Sequence, residues 1–350
     1  MLAERKKHRM AAVEESAVPA AGPDRSVIDR FRAFASANPA LVFLAVMALI
    51  GVWLIITYGI NAFGQRSVNG VVTGSYLALG AIGLTLVYGI LRLTNFAHGD
   101  MLTMGAYIAL FFNVTLDVPF AVAIAAAVLF SAAFGVATEF VMWRPMRRKN
   151  AGTLQLVLMA IGLAFVIRNV IQMIAGAGQK RIDVNTTDTL QFLGLSIGRF
   201  QLIVVIIAFV VLTAVALMLR HTSLGRQMRA LADNFDLAET TGIDTGRIVI
   251  YTWILSAGLA GLAGVLVVGS IGSLNPNTGF TLLLPMFAAV VLGGIGNAFG
   301  ALAGGLVIGI AQEWSTLPIE PQWKTAVSFV VLVIVLIFRP QGIFGTERSL

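Results

Sequence analysis

The chain has 350 residues, of which 58% are hydrophobic and 12% charged, about half the charge of an ordinary soluble domain. Its net charge of +7 comes from short Lys and Arg clusters between long uncharged runs, which excludes a water-soluble globule and leaves no case for a nucleic-acid partner. The lack of Cys removes disulfides, thiolate metal sites and Cys nucleophiles.

Residues 1–38 are polar and mix Arg5, Lys6, Lys7 and Arg9 with Glu14, Glu15, Pro19, Gly22 and Pro23. That composition is expected to give a disordered basic tail at the cytoplasmic face. From residue 39 to 345 a membrane domain is expected, because an unpaired peptide group in hydrocarbon costs several kcal/mol and apolar helices of about 20 residues avoid that cost. The first uncharged run, Ala40 to Ile60, is too long and too far from the terminus for a cleaved signal. Next come Ser67 to Leu91, Thr94 to Leu116, Val118 to Trp143, Ala151 to Gly178 and Phe200 to Leu219. Ile248 to Gln312 then offers 65 residues without Asp, Glu, Lys or Arg and must cross more than once. Turn-forming stretches at Ser273 to Gly279 and Gly293 to Asn297 divide it near 248–270, 280–293 and 298–314, the last two being either two crossings or a re-entrant hairpin. A final run near Pro321 to Pro340 has Lys324 and Arg339 at its ends, within reach of the headgroups.

The expected fold class is therefore all-α, a polytopic inner-membrane helical bundle with about 10 crossings. With the N-terminus inside, eighteen Lys and Arg fall on the cytoplasmic side and five outside, so both termini are expected in the cytoplasm. Crossings two to five and seven to ten then run in opposite senses, as an inverted repeat requires. Gly70/Gly74, Ala257/Gly261, Ala260/Gly264, Gly296/Gly300/Gly304 and Gly305/Gly309 place small residues on single helix faces, which permits close packing in lipid.

Polar groups at membrane depth are few, and each needs a partner, a water-filled cavity or an interface. Glu139 sits near Arg144, Arg147, Arg148 and Lys149, and a helix-end ion pair is expected there. Arg168 reads either as a group facing a cavity on the transport path or as one that snorkels outward. Asn95, His98 and Asp100 read either as a helix start at the cytoplasmic edge, with Thr94 or Asn95 as cap, or as a hinge at the inner mouth. The spacing of His98 and Asp100 places them on different helix faces. Asn275 and Pro276 read as a turn on the outer side, with lining of a vestibule as the alternative. There is no phosphate-binding loop and no His-Glu-x-x-His, so neither an ATPase site nor a metal site is expected, and the chain does not read as an enzyme.

The longest cytoplasmic connection is 221–247. Ser223 is expected to cap one short helix there, and Asp236 with Glu239 a second, which Gly242 stops. Leu224, Met228, Leu231 and Phe235 form an apolar stripe flanked by Arg226 and Arg229, suited to docking on lipid headgroups or on a soluble subunit.

Taken in order, several segments resemble the branched-chain amino acid permeases of bacterial ABC importers. They are Asn69-Gly70 through Tyr88-Gly89-Ile90, Asn95 to Asp100, Arg144-Pro145, Leu224-Gly225-Arg226 through Gly242-Ile243, Asn275-Pro276 and Val291 to Gly296. The resemblance implies a translocation subunit in the bacterial inner membrane, paired with a second permease, two cytoplasmic ATP-binding subunits that consume ATP, and a periplasmic solute-binding protein. It also implies that Leu224 to Gly242 couples to the ATPases. A permease for urea, short amides or another small solute shares these motifs. A stand-alone ion-coupled carrier is the rival from another class, and an inert membrane scaffold a third reading.

Overall fold

The computed structural model describes residues 39–182, 188–192, 194–338 and 342. The expected tail over 1–38, together with Arg339, Pro340 and Arg348, lies outside the described residues. The chain divides into two units, residues 1–50 and 51–350. The described part of the first is the apolar opening of helix α1, Pro39–Tyr58.

Residues 51–350 contain α2 (Ile60–Leu91), α3 (His98–Leu110), α4 (Phe120–Thr138), α5 (Arg144–Arg148), α6 (Thr153–Ala175) and α7 (Arg199–His221). They continue with α8 (Ser223–Asp233), α9 (Phe235–Thr240), α10 (Thr245–Ile271), α11 (Thr278–Gly293), α12 (Ala298–Ser315) and α13 (Lys324–Phe338). π-Helical turns at Phe111–Thr115 and Glu139–Trp143 follow α3 and α4. Two small antiparallel strand pairs are added to the helical fold that the sequence leads one to expect. β1 (Lys180–Arg181) pairs with β4 (Ser273–Leu274), and β2 (Thr189–Phe192) with β3 (Leu195–Gly198). Both lie in polar connections between helices, where the backbone needs partners that no helix supplies.

Among the described residues, six helices are long and apolar enough to cross a membrane: α1, α2, α4 with α5, α6, α7 and α10. α2 and α10 form the core, 94% and 78% of their apolar windows being buried, against 22% for α6 and 28% for α7. The outer helices therefore keep apolar surface on faces turned away from the bundle, as lipid contact demands. Small residues set the tightest packing. A Cβ added at Gly74 would lie 2.7 Å from Leu306 Cα, and one at Gly309 would lie 2.2 Å from the Gly74 nitrogen, so α2 and α12 touch backbone to backbone.

Two buried carboxylates tie the helices at the ends of the bundle. Glu139 pairs with Arg147 and accepts the Trp253 indole N–H at 2.8 Å, while Trp143 stacks on Trp253 with ring centroids 5.7 Å apart. Glu313 on α12 accepts Lys324 Nζ at 2.5 Å and lies 3.9 Å from an Arg66 guanidinium nitrogen. Lys324 is thus held by a carboxylate while its side chain keeps 33% exposure.

The two halves echo each other at one constant spacing along the chain. α2 ends on left-handed Arg92 (φ 53°), whose N–H bonds the Tyr88 carbonyl; α10 ends on left-handed Gly272 (φ 75°), whose N–H bonds the Val268 carbonyl. The same spacing relates Asn95 to Asn275 and Gly99 to Gly279.

Candidate functional site

After α2 the chain turns at Arg92 and doubles back along the helix it has left. Leu93, Asn95 and Ala97 are buried, and Asn95 Oδ1 accepts the Ala97 N–H at 3.1 Å, which bends the chain into α3. His98 arrives beside α2, with its Nε2 2.9 Å from the Gly80 carbonyl oxygen. At 1.5 Å per helical residue, Gly80 and Gly83 lie about 12 to 17 Å from the end of α2. Five extended residues recover that distance, because they advance roughly 3.3 Å each. The cytoplasmic-edge reading of Asn95, His98 and Asp100 is therefore corrected: α3 begins deep in the bundle. Neither Thr94 nor Asn95 is its N-cap, a position that Ala97 fills without a side-chain bond.

α11 begins in the same way. Asn275 Oδ1 accepts the Asn277 N–H at 2.9 Å, and Thr278 Oγ1 donates to the Asn275 carbonyl at 2.8 Å. Asn275 is exposed and Pro276 buried, so this pair builds the turn that launches the helix, the turn reading of the sequence. The first turns of α3 and α11 then meet. A Cβ on Gly279 would lie 1.8 Å from the Gly99 carbonyl oxygen, and Thr103 Oγ1 accepts the Gly279 N–H at 2.8 Å. Only a residue without a side chain fits at either position.

Beside this junction is an ion pair. Arg168 on α6 donates through Nε to Asp100 Oδ1 at 2.9 Å and through a terminal nitrogen to Oδ2 at 3.0 Å, a bidentate fork. The Asp100 side chain is 0% exposed and that of Arg168 13%. The guanidinium also lies over Phe280, 4.3 Å from the ring centroid. Arg168 thus turns to Asp100 rather than outward, which corrects the snorkelling reading, and the pair supplies the partner that a charge at membrane depth requires. His98 bonds α2 while Asp100 bonds α6, so the two point to different elements, as their spacing demands. Phe280, Thr103, Gly99 and Gly279 were missed in the sequence. The signal was the recurrence of Asn-x-x-x-Gly at 95–99 and 275–279.

The 221–247 connection holds two helices, but their caps differ from those expected. Thr222, not Ser223, caps α8 by accepting the Gly225 N–H at 3.1 Å; Asn234, not Asp236, caps α9 by accepting the Leu237 N–H at 3.0 Å. Gly242, at φ 87°, follows α9 in left-handed geometry. The expected stripe does not act as one face. Gly225, Met228 and Leu231 are buried in the chain's own fold and Leu224 is half-buried, whereas Phe235 (36%) and Leu237 (59%) remain exposed. Arg229 bonds the Leu219 carbonyl, while Arg226 and Glu239 are exposed. Arg92 donates to the Ala232 carbonyl at 3.1 Å, joining α8 to the turn that precedes α3.

A profile of the branched-chain amino acid transport system permease component family matches residues 66–336, which include both broken helices and the α8–α9 connection. The chain belongs to this family. The permease protein BraD of Pseudomonas aeruginosa, described as part of a high-affinity branched-chain amino acid transport system, is 36% identical, with 80% of this chain and 95% of that protein covered. LivH of Escherichia coli K12, described in the same terms, is 34% identical over 81% of this chain and 96% of its own length. The ribose import permease RbsC of Escherichia coli K12 is 29% identical, covering 79% and 84%.

Proposed function

We propose that this chain is the membrane-spanning subunit of an ATP-driven importer for branched-chain or other hydrophobic amino acids, seated in a bacterial inner membrane with about 10 crossings and both termini in the cytoplasm. It works beside a second permease subunit, two cytoplasmic ATP-binding subunits and a periplasmic solute-binding protein. ATP is consumed by the partners, and this chain holds no cofactor. The observation that carries the reading is the family match over 66–336, the residues that build the bundle and its two half-helices. The inside-positive charge count and the constant spacing between the two halves support the topology and the inverted repeat.

In this reading Phe235 and Leu237 meet the ATPases, with Arg226 and Glu239 at the rim. Movement of α8 pulls on Arg92 through the Ala232 carbonyl. Arg92 is a non-glycine residue in left-handed geometry, so its backbone has a lower-energy conformation to relax into. A change there moves residues 93–97 and with them the first turn of α3, which separates Gly99 from Gly279 and opens the bundle centre. Asp100 and Arg168 set the closed position, and Asn95 and His98 form the hinge.

The solute is tested by competition in proteoliposomes holding the full complex. Excess isoleucine or valine should abolish uptake of labelled leucine while ribose or urea leaves it unchanged. Uptake that ribose or urea displaces would overturn the amino acid assignment.

A further inference from the structure

Below α4 the π turn Glu139–Trp143 changes the direction in which side chains leave the helix. Arg147 turns inward to Glu139, but Arg144, Arg148 and Lys149 face outward. Among the described residues, none of these three carries an ion pair. With Phe140 and Pro145 they line a cavity of about 370 Å³, and the Arg144 guanidinium stands over the Phe140 ring, 5.6 Å from its centroid. Phe140 and Val141, both in the π turn that follows α4, continue this surface, 46% and 80% exposed. The cavity is therefore basic at one end and open to an apolar helix face at the other.

We propose that this cavity holds the headgroup of an anionic phospholipid of the cytoplasmic leaflet. The phosphate sits among Arg144, Arg148 and Lys149, and an acyl chain runs along Phe140 and Val141. The assignment rests on the sidedness proposed above, which puts α5 at the inner interface. Three cations without counter-charge match an anion, and the adjoining apolar wall matches a lipid tail rather than a free ion or an acidic protein surface. A bound lipid would also fix the α4 end beside Trp143 and Trp253, where α4 meets α10.

The test is native mass spectrometry of the purified full-length chain titrated with dioleoyl phosphatidylglycerol, dioleoyl phosphatidylcholine or inorganic phosphate. Phosphatidylglycerol should bind more tightly than phosphatidylcholine. Arg144→Gln/Arg148→Gln/Lys149→Gln should weaken it on the order of 100-fold, at about fivefold per cation near an anionic surface. Val141→Gln should weaken it with the cations intact, a loss that a purely electrostatic phosphate site would not show. Equal binding by the triple variant, or displacement of the lipid by excess inorganic phosphate, would overturn the proposal. The readout needs neither partner nor solute, so its failure is separable from a failure of the transport reading.

Discussion

Arg168→Gln strands the Asp100 carboxylate, whose side chain is fully buried and which has no second ion-pair partner among the described residues. Removing one partner of such a pair costs roughly 3–5 kcal/mol, because the remaining charge stays out of water. At about 2 °C per kcal/mol, the melting temperature should fall on the order of 6–10 °C. Asp100→Asn should cost less, since Arg168 keeps 13% exposure and the Phe280 face. The double variant Asp100→Asn/Arg168→Gln leaves no buried charge at this junction and should be more stable than Arg168→Gln. The assay is tryptophan fluorescence melting of all four proteins in one detergent, with the coupling energy taken from the cycle. Effects that add to within about 0.5 kcal/mol would refute the idea that this pair pins α6 to the start of α3.

Four further outcomes follow from the geometry of the fold. Gly279→Ala places a Cβ 1.8 Å from the Gly99 carbonyl oxygen, so the half-helices must part; uptake should be lost even where the protein reaches the membrane, and normal uptake would show that the contact is dispensable. Phe235→Ala/Leu237→Ala removes two exposed apolar side chains and should abolish co-purification of the ATPases with a melting shift of no more than about 1 °C, whereas Arg229→Ala should lower the melting temperature because it frees the Leu219 carbonyl. Trp253→Phe deletes the indole N–H that Glu139 accepts and should destabilise the chain by about 1.5–3 kcal/mol, read in the same melting assay.

The helices were legible because lipid imposes a simple rule. Charge-free length locates them, and the breaks at 273–279 and 293–297 appear as a short strand with a turn and as left-handed Gly294 and Gly296. The same rule hid the broken segment. Residues 94–97 are uncharged and continue into α3 without a composition change, so Thr94 to Leu116 reads as one crossing although its helix begins at His98, deep in the bundle. It also hid the extension of α2, where Arg66 marks the end of the charge-free run but the helix starts at Ile60. Periodicity picked out Leu224, Met228 and Leu231 on α8 but ran on into Phe235 of α9, and it does not distinguish a face turned to a partner from one turned to the chain's own helices. Met228 and Leu231 took the second course. The Asp100–Arg168 pair was out of reach because it joins residues far apart in sequence. Each residue taken alone called for a partner, and only the tertiary fold says which.

The driving force for solute entry bears most directly on whether this chain is a conduit moved by separate motors. The reconstituted complex should accumulate labelled leucine when MgATP reaches the ATPase subunits and the binding protein is on the opposite side, with no ion gradient present. Accumulation by this chain alone under a sodium or proton gradient, without nucleotide or partner, would contradict it.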